Sequence, residues 1–189
     1  MHAAICDFIS DCLQNSVEAN SSYIKLLYDR KGNVVTTIIE DNGKGMTKEQ
    51  LEKARDPFYT DGTKHVNRKI GLGIPFLHQA IDLSGGTLDI WSRKDVGTKL
   101  EFSFDMSNID TPPEGDISSA ALQAMMFDED YELEFIRTCS LNGIDKDQYI
   151  IKRSELFDTP GDITADSITL ARRYFKSREE NLNKEAVNG

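Results

Sequence analysis

Asp41-Asn42-Gly43-Lys44-Gly45-Met46 sets a carboxylate beside two glycines at the end of an apolar alternating run, Val34 to Glu40. A helix-like segment, Thr47 to Arg55, follows. A carboxylate at a strand end is a hydrogen-bond acceptor, and the glycines let the backbone turn sharply and a flat ligand approach closely. Standing alone, Asp-Asn-Gly is also ordinary turn chemistry. Two further clusters stand beside it. Between Ala3 and Ala19, Asp7, Asp11, Asn15 and Glu18 recur at helical spacing, so they share one face. Stacked carboxylates repel by roughly a few tenths of a kcal/mol per pair unless a cation sits among them. The Asn15 carbonyl is an oxygen ligand that magnesium accepts, although a solvated polar face is the plainer reading of this helix. Gly71-Leu72-Gly73-Ile74-Pro75 then precedes an apolar run, Phe76 to Leu83. Glycines at a helix start free the first N–H groups for an anion, and proline is tolerated in the first turn. No G-x-x-x-x-G-K-[ST] occurs, and no acid follows a G-x-G-x-x-G at the distance a dinucleotide fold needs.

The elements that must position these residues follow from periodicity. Helices are expected over 3–19, 47–55 and 74–84, and strands over 22–29, 33–41, 87–92 and 97–105. Ile5, Phe8, Ile9, Cys12, Leu13 and Ser16 form the buried stripe of the first helix, and Leu100, Phe102 and Phe104 alternate with polar residues in the last strand. The fold class is α+β, a two-layer sandwich with helices on one face of a mixed sheet, whose other face needs a cover. Residues 1–106 make the first domain, and Thr111-Pro112-Pro113-Glu114-Gly115-Asp116 marks a connector over 107–116. Residues 117–189 form a small α/β appendix, with a helix over 118–127, strands over 131–138 and 147–153, a helix over 164–181 and a fraying tail. From 107 onward the chain holds 9 Lys and Arg against 17 Asp and Glu, so −8 of the net −10 lies there.

That charge argues against nucleic acid or an anionic membrane as partner. No apolar run reaches the ~18 residues of a membrane span. Cys6, Cys12 and Cys139 show no paired spacing and read as core thiols of a cytoplasmic protein, and His78 reads as a core or edge histidine. The chain starts almost inside its first helix, so an upstream part of a longer protein is expected.

In this order the motifs resemble the gyrase, heat-shock chaperone, histidine kinase and MutL (GHKL) superfamily of ATP-binding domains, the Bergerat fold. Asp11 to Ala19 looks like the N box, Asp41 to Met46 like the G1 box, Asp56-Pro57-Phe58-Tyr59-Thr60 like the F box of sensor kinases, and Gly71 to Ile74 like the G2 box. Gly85-Gly86-Thr87 and Val96-Gly97-Thr98-Lys99-Leu100 resemble the closing strands. The resemblance covers His2 to about Asp105. It implies ATP and magnesium as cofactors. By it, Asn15 holds the cation, Asp41 accepts from the adenine amino group, and Thr98 assists Asp41 through water. Gly43, Gly45 and Met46 lie against the base, and Gly71, Leu72 and Gly73 present amides to the phosphates. Thr63, Lys64, Arg68 and Lys69, in a lid over 56–70, are candidate phosphate contacts.

Two departures matter. Lys69 stands where sensor kinases usually carry a glycine. Asp11 stands where hydrolysing members carry the longer Glu, so Asp11 is the candidate base and outer-shell magnesium group, with Glu18 the weaker candidate. The sequence favours an ATPase narrowly over a kinase that phosphorylates a protein partner, because His2 sits where no helix hairpin could present it. A third reading is an interaction module that binds nucleotide without turnover. Oligomeric state stays open.

Overall fold

Alternation decides the sheet. In the computed structural model, which describes residues 4–56, 73–140, 147–157 and 163–188, six strands form one mixed sheet. They are β1 (Tyr23–Lys31), β2 (Val34–Asp41), β3 (Thr87–Arg93), β4 (Gly97–Asp105), β5 (Glu132–Ser140) and β6 (Asp147–Lys152), in the order β3-β4-β2-β1-β5-β6. All neighbours are antiparallel except β1 and β5, which run parallel from Tyr23↔Glu132 to Lys31↔Ser140. Register puts Ile90, Leu100, Ile39, Leu26, Phe135 and Ile151 in one row across all six strands, and all are buried. Fully burying such a side chain stabilises the fold by about 1.5–3 kcal/mol.

This face carries the helices. In α1 (Ile5–Glu18) the stripe from Ile5 to Val17 is buried, and Phe8 stacks on Phe104 of β4 with ring centroids 6.4 Å apart. The α2 helix (Lys48–Arg55) opens with a reciprocal cap: Gln50 N–H donates to Thr47 Oγ1 at 3.2 Å, and Thr47 N–H to Gln50 Oε1 at 2.9 Å. Its last residue, Arg55, donates to the Ile90 carbonyl of β3, an edge strand. Helix α3 (Gly73–Ser84) buries Leu77 and Ile81, and α4 (Ile117–Ala124) packs on α1. A single turn, α5 (Arg153–Leu156), precedes α6 (Ala165–Asn188), whose Phe175 stacks on Phe135 of β5 at 5.9 Å.

The C-terminal segment therefore adds to the sheet and lies on the helix-bearing face. The other face, expected to need a cover, is not where this segment packs. That face instead carries partly exposed charge pairs, Lys99 with Glu40 at 3.8 Å and Glu101 at 3.2 Å, and Lys152 with Glu134 at 3.6 Å. Alternation with polar side chains makes such a face tolerable to water. The α5 turn is additional to the expected elements, and α6 continues to Asn188 where a fraying tail was expected.

The connector is also anchored. The Ile5 and Cys6 N–H groups of the first turn of α1 donate to the Pro113 and Glu114 carbonyls, at 2.9 and 3.1 Å. A helix start leaves such donors without intrahelical partners, so a backbone segment supplies them here. Glu114 accepts from Tyr28 at 2.8 Å and pairs with Arg30; Arg137 pairs with Glu179 at 3.3 Å, which also accepts from Tyr149 at 2.6 Å. Burial, helped by Glu114 and Glu179, pushes the Tyr28 and Tyr149 hydroxyls well above the usual phenol range. The three cysteines are free and buried, with burial pushing Cys6 and Cys12 up to about 12, so both are inert thiols at neutral pH. Among the described residues no helix is long and apolar enough to cross a membrane.

One core position is frustrated. Thr37 lies between Tyr28 and Phe102, fully buried, and its hydroxyl has no hydrogen-bond partner among the described residues. An unpaired buried hydroxyl costs about 1–3 kcal/mol. Thr37→Val keeps the shape and removes that cost, so the urea midpoint should rise by the equivalent of about 1 kcal/mol or more. An unchanged or lower midpoint would show that the hydroxyl is satisfied.

Candidate functional site

A polar row interrupts the apolar face at one end of the sheet. Asp41 is the last residue of β2, opposite Thr98 of β4, and Thr98 is opposite Ser92 of β3. All three share the face that carries Ile39, Leu100 and Ile90, two residues away along their strands. Strand periodicity thus delivers a carboxylate and two hydroxyls to the rim of the core. Asp41 and Thr98 are half-buried.

The carboxylate is held from two sides. Asp41 Oδ2 accepts from the Ser16 hydroxyl of α1 at 3.1 Å, and Oδ1 accepts from the Gly43 N–H at 2.9 Å. Ser16 is itself buried, and it follows Asn15, so the bond brings the helix that carries Asn15 to the carboxylate. Asn15 and Asp11 are half-buried, one helical turn apart. Glu18 is exposed and accepts from Gln14 at 2.8 Å, while Asp7 accepts from the Ala4 N–H at the helix start. Of the four polar residues on that stripe, Asn15 is therefore the one adjacent to the Asp41 anchor.

The loop after Asp41 is pinned by its neighbours. Asn42 accepts from the Ser22 and Tyr23 N–H groups at 3.0 and 2.9 Å, and Lys44 N–H donates to the Ala19 carbonyl at 2.9 Å. Met46 N–H donates to Ser92 Oγ at 2.9 Å, and its side chain packs against the core. Gly45 has φ +57°, and a Cβ there would sit 2.0 Å from the Arg93 carbonyl oxygen of the β3–β4 hairpin. Gly97, with φ +135°, passes so close that a Cβ would meet the Asp41 carbonyl oxygen at 1.9 Å. Backbone-to-backbone contact between the loop and the hairpin explains the glycines, beyond any access for a flat ligand.

Gly73 opens α3, and Ile74 packs against the core. Gly71, Leu72, Thr63, Lys64, Arg68 and Lys69 lie outside the described residues, as does the lid beyond Asp56. Ser92 was not singled out from sequence, and Ser16 was read only as part of the buried stripe. For Ser16 the signal was a hydroxyl in an otherwise apolar row. For Ser92 it was a serine ending the Leu88, Ile90 alternation opposite a Gly-Thr. A cavity of about 510 Å³, lined in part by Arg30, Glu114, Arg137 and Glu179, lies at the other end of β1. Its charges are already engaged with one another, as the seam described above.

With this geometry in place, comparison with known proteins identifies the family. The chain belongs to the histidine kinase-, DNA gyrase B- and HSP90-like ATPase family, whose model matches residues 3–108. A sensor histidine kinase NtrY-like protein of Rickettsia prowazekii is 29% identical over 86 residues, covering 46% of this chain and 14% of that protein. Sporulation kinase B of Bacillus subtilis is 31% identical over 98 residues, 49% of this chain and 21% of the kinase. The chain thus spans only a small part of the length of these relatives. Among solved structures, the Aquifex aeolicus MutL ATPase domain complexed with ADP aligns with a TM-score of 0.47 and 14% identity, covering 76% of this chain and 62% of that one. The catalytic domain of histidine kinase ThkA aligns with a TM-score of 0.38 and 24% identity, over 58% and 70%. The match to the family model is what carries the assignment.

Gly45 gives a direct test of the loop-to-hairpin contact. Gly32 has nearly the same φ, +58°, but open space around it. Gly32→Ala should cost about 1–2 kcal/mol from backbone strain alone. Gly45→Ala should cost clearly more, measured as urea unfolding free energy, because the hairpin must also move. Equal losses would show that the contact is soft.

Proposed function

We propose that the protein binds Mg-ATP with its base on the Asp41–Thr98 row and donates the γ-phosphoryl group to a side chain of a partner protein. The observation that carries the binding reading is the Asp41 carboxylate, fixed by Ser16 and Gly43 at the rim of the core with Thr98 beside it. A carboxylate only accepts, which suits the adenine amino donor. Gly43, Gly45 and Met46 border the base in this reading. Asn15 supplies one oxygen to magnesium, and Asp11 stands in its outer shell. Among the described residues no three His, Cys, Asp or Glu side chains converge. Nucleotide oxygens and water would complete the shell, as is usual for this cation. Gly71, Leu72 and Gly73 bind the phosphates, with Thr63, Lys64 and Lys69 contributing from the lid. Residues 1–106 act as the nucleotide-binding part, 107–116 as the connector, and 117–189 as a brace.

Transfer to a protein is favoured over hydrolysis by the likeness to proteins named as kinases, a sensor histidine kinase and a sporulation kinase. It reverses the narrow preference drawn from sequence. In the transfer the bond from γ-phosphorus to the bridging oxygen breaks and a bond to the acceptor forms, leaving ADP. Hydrolysis is the second reading. It is favoured by Asp11, half-buried one turn before Asn15, where a carboxylate could take a proton from water.

Asp41→Asn should abolish ATP binding in calorimetry while circular dichroism stays unchanged, because an amide can offer a donor where the base already donates. Affinity within twofold of the parent would remove Asp41 from the base site. Asn15→Ala should instead remove the magnesium dependence of binding.

Asp11→Asn separates the two chemistries. If water is the acceptor, steady-state phosphate release should fall by about 10²–10⁴-fold at unchanged ATP affinity. The kinase reading instead expects negligible release from the parent, and label from γ-labelled ATP on a partner protein. Rapid phosphate release by the parent without a labelled partner would sink it.

A further inference from the structure

The Ser92 hydroxyl has three hydrogen-bond neighbours, and their chemistry fixes where every proton lies. Met46 N–H reaches Ser92 Oγ at 2.9 Å, the Gly97 carbonyl lies at 3.0 Å, and Thr98 Oγ1 at 2.9 Å. A serine hydroxyl has one proton and two lone pairs. The carbonyl can only accept, so it takes the serine proton. The backbone N–H can only donate, so it occupies one lone pair. The remaining lone pair must receive the Thr98 proton. Thr98 is therefore left with lone pairs alone to offer any other group. On the neighbouring strand, the Asp41 carboxylate is also purely an acceptor, with one oxygen bonded to Ser16 and the other to Gly43.

We propose that Ser92 is a specificity-determining positioning residue: by holding the Thr98 proton it makes the base-binding row acceptor-only. The row then selects a purine with an amino group at C6 and rejects one with a carbonyl there. This rests on the nucleotide-binding reading given above. A 6-oxo purine presents an acceptor to two acceptors, and an unpaired polar group in such a place is penalised. The selection acts where Thr98 meets the base directly; a water bridging the two would donate one proton to Thr98 and keep the other for a carbonyl, so it would not pass the preference on. Ser92 touches neither base nor phosphate in this scheme; it acts through Thr98.

Calorimetric titration of the full chain with Mg-ATP and with Mg-ITP, whose base carries the 6-carbonyl, tests it. The parent should prefer ATP. In Ser92→Ala the Thr98 hydroxyl regains a free proton, and the ATP-to-ITP affinity ratio should shrink by about tenfold, the equivalent of one well-placed hydrogen bond. Ser92→Thr keeps the hydroxyl and should restore the ratio. Thr98→Val, with no hydroxyl to orient, should shrink the ratio too, so the test does not depend on Ser92→Ala folding. An unchanged ratio in Ser92→Ala or in Thr98→Val overturns the proposal, however far the two affinities fall together. In that case Ser92 only braces Met46 and Gly97. A parent that binds ATP with such an outcome leaves the nucleotide reading standing, whereas a parent that binds neither nucleotide removes both.

Discussion

A carboxylate at the rim of an apolar core has to be satisfied or it will not stay there, and Asp41 governs the architecture around it. Hydrogen bonds to a charged group contribute about 1.5–3 kcal/mol each, enough to offset partial removal from water. One comes from the loop that Asp41 itself begins, through Gly43. The other comes from Ser16, twenty-five residues earlier on α1. That second bond ties helix to sheet at the place where Asn15 projects. The loop, the β3–β4 hairpin and α1 are mutually fixed around one side chain.

The C-terminal segment holds the opposite end of the same construction. Its connector caps the start of α1 through two backbone carbonyls, and its strands complete the sheet beside β1. The seam between the parts is polar: Arg137 is buried and pairs with Glu179, while its guanidinium lies 5.0 Å from the Tyr28 ring centroid. Buried pairs of this type contribute little net stability, but removing one partner leaves a charge without compensation. Specific docking of the segment is thus enforced by what mismatch would cost. Helix α1 is gripped at both ends, by the connector at its start and by Asp41 near its end.

Much of this was legible in the sequence because it depends on local period. The buried stripe of α1, the alternation in β4 and the strand-to-loop switch at Asp41 all lie within one element or its border. What escaped depends on pairing between distant segments. Ser92 acquires its role only once the hairpin sets it opposite Thr98, and Ser16 only once α1 lies across the end of β2. Strands were expected over 131–138 and 147–153, close to the observed β5 and β6, yet nothing in their alternation says that β5 runs parallel to β1. A parallel pair has no connecting turn of its own to announce it. The one-turn α5 is too short to carry a periodic signal. The extra length of α6 lies in a polar stretch that composition alone assigns to a tail.

The parallel pairing of β1 with β5 has a consequence for how the chain is made. More than a hundred residues separate Tyr23 from its partner Glu132. At about 5–20 residues per second, a ribosome needs on the order of 5–20 s to synthesise that interval. Throughout it, β1 is an unpaired edge carrying Leu26, Leu27 and Tyr28, of the kind that recruits strands from other chains. That edge of β1 thus stays without its partner strand until residue 140 has emerged, and slower translation lengthens the exposure.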